Sequence, residues 1–215
     1  MLSFVLLAGC AQLGLTARSD SSTYRGTLPC VDCAGRNSTL TLFDDGTYRM
    51  RMVEDGKPHA QPTFELGRWQ RHAGRLELSV GWRFVERSDG VLNLLDSEGQ
   101  PIGYSLKRAR PDRIAGPMPL SGMYVYQADA GSLVLCATAT QVAVLLKDGD
   151  AAALQRAYRD ANVSGTAVLI DVIGRFVERA PEPGVAKREF VRVEKFVRLE
   201  PDDVCPNRFG TAKGN

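Results

Sequence analysis

The chain has only two histidines, His59 and His72, among its 215 residues. Two are too few for most metal centres and proton relays, and they suggest no Ser–His–Asp set. Neither a glycine-rich phosphate loop nor a zinc-binding helix motif occurs. Beyond residue 9 the chain never approaches a run of about 18 apolar residues, so no helix there could span a membrane. An excess of one charge is lacking as well. The 27 basic and 25 acidic residues are well mixed and give a formal net charge of +2. No basic face argues for nucleic acid, and there is no acidic tail. These shortages point away from an enzyme and toward a protein that works by contact.

What is present begins at the N-terminus. The stretch "MLSFVLLAGC" is apolar up to Leu-Ala-Gly-Cys, the pattern at which a signal peptidase cuts before a cysteine that then carries lipid. Cys10 is therefore the expected lipidation site, and residues 1–9 read as the remnant of a signal peptide. No Lys or Arg precedes Cys10 and the apolar stretch is short, so the natural start is expected upstream of Met1. Several acyl chains on one cysteine, palmitate among them, would anchor the protein firmly, since each buried CH₂ adds about 0.8 kcal/mol. Residues 10–22 are small and polar and read as a lipidated tether.

If Cys10 carries lipid, Cys30, Cys33, Cys136 and Cys205 remain. An even number in an oxidising compartment suggests two disulfides. Three pairings are possible, and proximity favours Cys30–Cys33, leaving Cys136–Cys205.

The body of the chain reads as mainly all-β. Short alternating runs ("STLTLF", "TYRMRMV", "TFELGRWQ", "RLELSV", "WRFVER", "VLNLL") are broken by turn dipeptides such as Asp55-Gly56 and Asp89-Gly90. Eight or so strands at this spacing predict a small up-and-down barrel over residues 23–108. Residues 109–119 have the proline and glycine content of a linker. Strands resume in "MYVYQA", "SLVLCA", "QVAVLL", "TAVLIDVIGRFVER" and "REFVRVEKFVRL". One helix, "DAAALQRAYRDA", falls between the third and fourth of these, with Asp150 as its N-cap. That order fits an OB-like barrel over residues 120–206. Residues 207–215 read as a disordered tail.

At this point the motifs match a known family. "YRGTLPCVDCAG", "TLTLFDDGTY", "GRWQR" and "LNLLDSEGQPI" resemble the N-terminal domain of the NlpE family. "PMPLSGMYVYQADAGSLVLCAT", "LQRAYRDA" and "VEKFVRLEPDDVC" resemble its C-terminal domain. The likeness runs in order from Tyr24 to Cys205. It implies a lipocalin-like N-terminal barrel and a C-terminal OB-fold in an outer-membrane lipoprotein. It also implies signalling of envelope stress and surface contact to an inner-membrane sensor kinase of the Cpx type, and a link to copper resistance. One departure is "ATATQVAV", which lacks the polar turn expected after the first C-terminal cysteine.

The C-x-x-C pair admits three chemistries. Thioredoxin-like exchange needs a thiol at a helix N-terminus, whereas here Pro29 precedes the pair, Asp32 lies inside it and a strand follows. Copper could be held by reduced Cys30 and Cys33, because two thiolates suit a soft ion of low coordination number. The compartment opposes the reduced state, so a small disulfide loop closing the start of the barrel is favoured. Met50 and Met52 are soft donors on one strand face but are expected in the core. Tyr124 and Tyr126 share a strand face, for which packing is favoured over an OB-type ligand surface. Cys136–Cys205 would close a loop of about 70 residues and tie an early strand to the last segment. The reading is thus a non-enzymatic stress-sensing lipoprotein. A copper-binding protein and a carrier of a small apolar ligand are the alternatives.

Overall fold

The structure is a computed structural model and describes residues 21–163, 165–181 and 184–206. Its first eight strands are β1 Ser21–Leu28, β2 Arg36–Phe43, β3 Thr47–Glu54, β4 Thr63–His72, β5 Arg75–Leu78, β6 Arg83–Glu86, β7 Leu92–Leu95 and β8 Pro101–Arg108. Each is antiparallel to its sequence neighbour, and β1 also pairs with β8, so the sheet closes into a barrel in chain order. The closure is tight at Gly26, which pairs with Leu106; a Cβ there would overlap the Ser105 carbonyl oxygen.

Period-two alternation fills the interior. Along β3, Tyr48, Met50 and Met52 point inward, while Thr47, Arg49 and Arg51 point outward. Tyr24, Leu28, Leu40, Leu76, Phe84, Leu92 and Leu106 complete a core in which each is almost wholly buried. The apolar lumen is thus occupied by the protein's own side chains, as in other small barrels.

The second barrel is built from β9 Met118–Gln127, β10 Ala130–Leu135, β11 Gln141–Leu145, α1 Ala151–Asp160, β12 Val168–Arg179 and β13 Arg188–Glu200. Its order around the barrel is β10-β11-β13-β12-β9, with β9 returning to β10. The β11–β13 pair is parallel and short, matching Ala143 to Phe190 through Leu145 to Arg192. The helix buries Leu154 and Tyr158 in this core.

Several expectations change in detail. β1 begins at Ser21, inside the stretch read as tether, because Ser21 and Ser22 pair with Phe43 and Leu42. β9 begins at Met118, inside the stretch read as linker, where it pairs along β12. Asp150 stands at the helix N-cap position but makes no side-chain cap bond; its carboxylate instead accepts the Phe196 amide at 2.8 Å. "ATATQ" does form a turn: the Leu135 amide bonds to the Thr140 carbonyl, Ala139 takes φ +55°, and the Thr138 and Thr140 hydroxyls meet at 2.7 Å. Cys10, residues 1–20 and the tail 207–215 lie outside the described residues.

Candidate functional site

Cys30 and Cys33 form a disulfide with Cα atoms 5.4 Å apart, in the turn between β1 and β2. Val31, at the apex, is 93 % exposed. Glu54, at the end of β3, offers an oxygen near both sulfurs, so that Cys30, Cys33 and Glu54 make a group of three possible metal donors among the described residues. The set does not fit copper as it stands. The two sulfurs are bonded to each other and present no thiolate, and Glu54 is engaged by Lys57 at 2.7 Å. Its hydrogen bond to Lys57 holds the Glu54 carboxyl below its ordinary range. A carboxylate is also a hard donor, poorly matched to a soft ion.

Cys136 and Cys205 form the second disulfide, 69 residues apart with Cα atoms at 5.2 Å. Cys136 opens the turn after β10, and its amide donates to the Ser121 carbonyl of β9 at 2.9 Å. Ser121 also donates its hydroxyl to Asp171 of β12 at 2.5 Å, and Asp171 receives Arg198 of β13 at 2.5 Å. Burial pushes the Asp171 carboxyl up, but these two donors more than offset it and hold the group below its ordinary range. The disulfide therefore sits beside a polar strap across three strands.

Tyr124 and Tyr126 do not form an open ligand face. Tyr124 is fully buried, and both rings meet Tyr158 edge-on, at 5.5 and 6.3 Å. Burial pushes the Tyr124 phenol up.

A third site joins the barrels, and nothing in the local sequence marked it. Arg49 of β3 is only 8 % exposed although it lies on the outside of its barrel. Its guanidinium makes a forked pair with Glu189 of β13, at 2.6 and 3.1 Å, and lies 3.5 Å from the centre of the Phe176 ring. Arg113, from the connecting segment, adds a bond to Glu189 at 3.0 Å and an ion pair to Glu178 at 3.5 Å. Burial alone would push the Glu189 carboxyl up; Arg49 and Arg113 outweigh it and hold the group below the usual carboxylate range. Beside this cluster, Arg68 of β4 donates to the Thr138 carbonyl at 2.9 Å, and Phe64 and Leu66 pack against the second core.

The connecting segment is pinned at both ends. The Asp112 amide bonds to Thr23, its carbonyl accepts from Thr41, and its carboxylate pairs with Arg25, while Ile114 is buried in the second core. A cavity of about 320 Å³ remains between the barrels, with Arg49, Arg113, Arg188, Glu189 and Phe176 on its walls.

The chain is similar to known proteins over both of its barrels. The NlpE N-terminal domain matches residues 24–105, and the NlpE C-terminal OB domain matches residues 114–206. Lipoprotein NlpE of Escherichia coli (strain K12) is 37 % identical over 172 residues, covering 75 % of this chain and 71 % of that protein. The crystal structure of the Cpx pathway activator NlpE from Escherichia coli is 31 % identical, with a TM-score of 0.39, over 86 % of this chain and 97 % of that one. With both of its barrels matched in order, the chain belongs to the NlpE family.

Proposed function

We propose that this protein is a lipid-anchored envelope lipoprotein that reports envelope or surface stress through direct contact with a Cpx-type sensor kinase. The observation that carries this reading is the family match over both barrels, in order, to a relative that is a Cpx pathway activator. Cys10 is the anchor in this reading. Ala11 follows it, in place of the Asp that marks retention in the inner membrane of enteric bacteria, which favours the outer membrane. The first barrel supplies the contact surface, and the Cys136–Cys205 pair makes the second responsive to envelope oxidation.

The filled lumen of the first barrel supports contact over carriage of an apolar ligand, because binding one would require displacing its core. Copper is supported less well, since its donors are sealed as a disulfide and an ion pair.

The test is a Cpx-type transcriptional reporter in the organism's own envelope. Overproducing the protein should raise the reporter, and Cys10→Ser should lower the response. A reporter indifferent to both deletion and overproduction would overturn the reading. Titration of the reduced chain with Cu(I) addresses the metal: a stoichiometric site lost on Cys30→Ser would revive it.

A further inference from the structure

The contact between the barrels differs in kind from their interiors. Each barrel encloses its own apolar cluster, and Phe64 and Leu66 of the first barrel pack against that of the second. Between them the chain places charge: Arg49 and Arg113, Glu189 and Glu178, and an incompletely filled cavity. An ion pair largely removed from water is poor glue, because desolvation offsets much of the Coulomb attraction. It is demanding about partners, however. Arg49 cannot be left buried without a carboxylate, and its forked geometry selects a carboxylate over other acceptors.

On the first barrel and the connecting segment, the covered face therefore consists of Arg49, Arg68 and Arg113 set among Phe43, Phe64 and Leu66. Arg49 and Arg113 also lie 4.9 and 5.3 Å from the Phe43 ring centre. The second barrel answers with Glu189, shared by Arg49 and Arg113, with Glu178 paired to Arg113, with the Phe176 ring and with the Thr138 carbonyl. We propose that this is an autoinhibitory latch: Glu189 and Phe176 occupy an arginine–aromatic face of the first barrel that fits an acidic partner segment carrying an apolar residue beside its carboxylate. The inference rests on the contact reading above and names how that contact surface is covered.

Exchange of one carboxylate for another keeps Arg49 and Arg113 paired throughout, so opening in the presence of such a partner avoids the cost of a bare buried charge. The turn that carries Thr138 starts at Cys136, so the outer contact of the latch and the second disulfide share one short segment. The pinned connection at Asp112 keeps the open barrels close, so reclosure remains intramolecular.

The test uses the full anchored chain in detergent micelles and compares wild type with Glu189→Gln, which leaves the first barrel's face untouched. Amide exchange over residues 47–51 and 64–68 should rise at least tenfold in the variant, while exchange in 168–176 stays protected. The variant should also bind the purified periplasmic domain of the Cpx-type kinase at least tenfold more tightly, and adding Arg49→Gln should abolish that gain. Arg68→Ala, which removes only the bond to Thr138, should shift exchange in the same direction by less. Unchanged exchange in both Glu189→Gln and Arg68→Ala would overturn the latch. Faster exchange with unchanged kinase affinity would overturn the masking of the contact face. Failure of every form to bind would overturn the kinase-contact reading instead, while exchange still decides the latch.

Discussion

The two barrels solve the same closure problem with different means. In the first, every pairing but one joins strands adjacent in sequence, and the last, β1 to β8, is antiparallel around Gly26. In the second, closure depends on three matched residue pairs between β11 and β13, parallel strands separated by a helix and another strand. Parallel, non-local pairing yields slightly less per residue and must first overcome the entropy of closing a long loop. The disulfides follow that division. The one in the first barrel spans 3 positions and constrains a turn, whereas the one in the second spans 69 and constrains the whole fold. The comparison teaches that covalent bracing sits where hydrogen-bonded closure is weakest.

The sharpest way to break this comparison is to remove the long brace. Cys136→Ser with Cys205→Ser should cost the second barrel about 4 kcal/mol by the chain-entropy account. Both tryptophans, Trp69 and Trp82, belong to the first barrel, so tryptophan fluorescence in a urea titration reports that barrel alone. Its midpoint should move much less than amide protection in the second barrel. Equal movement of both would show that the barrels unfold as one unit.

Next in size is Gly26→Ala, which forces a methyl group against the Ser105 carbonyl at the closing seam. A loss of about 2–3 kcal/mol is expected, read this time as a lower fluorescence midpoint. A neutral result would mean that the seam yields easily and that the first barrel is no better closed than the second.

Removing the short disulfide, Cys30→Ser with Cys33→Ser, should cost only about 2 kcal/mol or less, because so small a loop has little closure entropy to lose. A penalty as large as that of the long brace would reverse the assignment of roles.

The smallest expected effect is on pH dependence, where two glutamates oppose each other. Glu65, inside the first barrel and receiving the Trp82 indole at 3.1 Å, has its carboxyl pushed up by burial, only partly countered by that bond. Its contribution is present below the ordinary glutamate range and is lost as pH rises through its raised value. Glu189 faces Arg49, Arg113 and the Glu178 side of β12, with Arg188 beside it in sequence, and its carboxyl is held low. Its contribution is present above the ordinary range and is lost as pH falls through the lowered value. Stability of the contact between barrels should therefore decline in acid before the first barrel itself weakens, as exchange at 47–51 against 84–94 would reveal. Parallel loss at both would remove Glu189 as the acid-sensitive element.

The sequence made the mainly β architecture legible, since alternation and turn dipeptides are local signals. It also made the helix legible through the spacing of Leu154 and Tyr158. β1 and β8 escaped it. "SSTYRGTL" has few inward apolar residues, and "PIGYSLKR" opens on proline with a glycine inside it, so both look like connections until they pair with each other. Asp150 was placed correctly but not its bond, because Phe196 lies 46 residues away. The latch was beyond reach. Among 27 basic and 25 acidic residues, nothing local distinguishes Arg49 and Glu189, which meet across 140 positions. In "YRMRM" the arginines merely alternate with core methionines, and it is contact with the second barrel that buries Arg49.

The parallel β11–β13 pair also sets a schedule. A chain that is delivered N-terminus first completes all eight strands of the first barrel, and can oxidise Cys30 and Cys33, before β13 exists. Cys136 must then wait for 69 more residues before Cys205 arrives. Its pairing can come only after the whole first barrel has been delivered, so an oxidant that runs short late in delivery leaves a finished first barrel attached to an unfinished second.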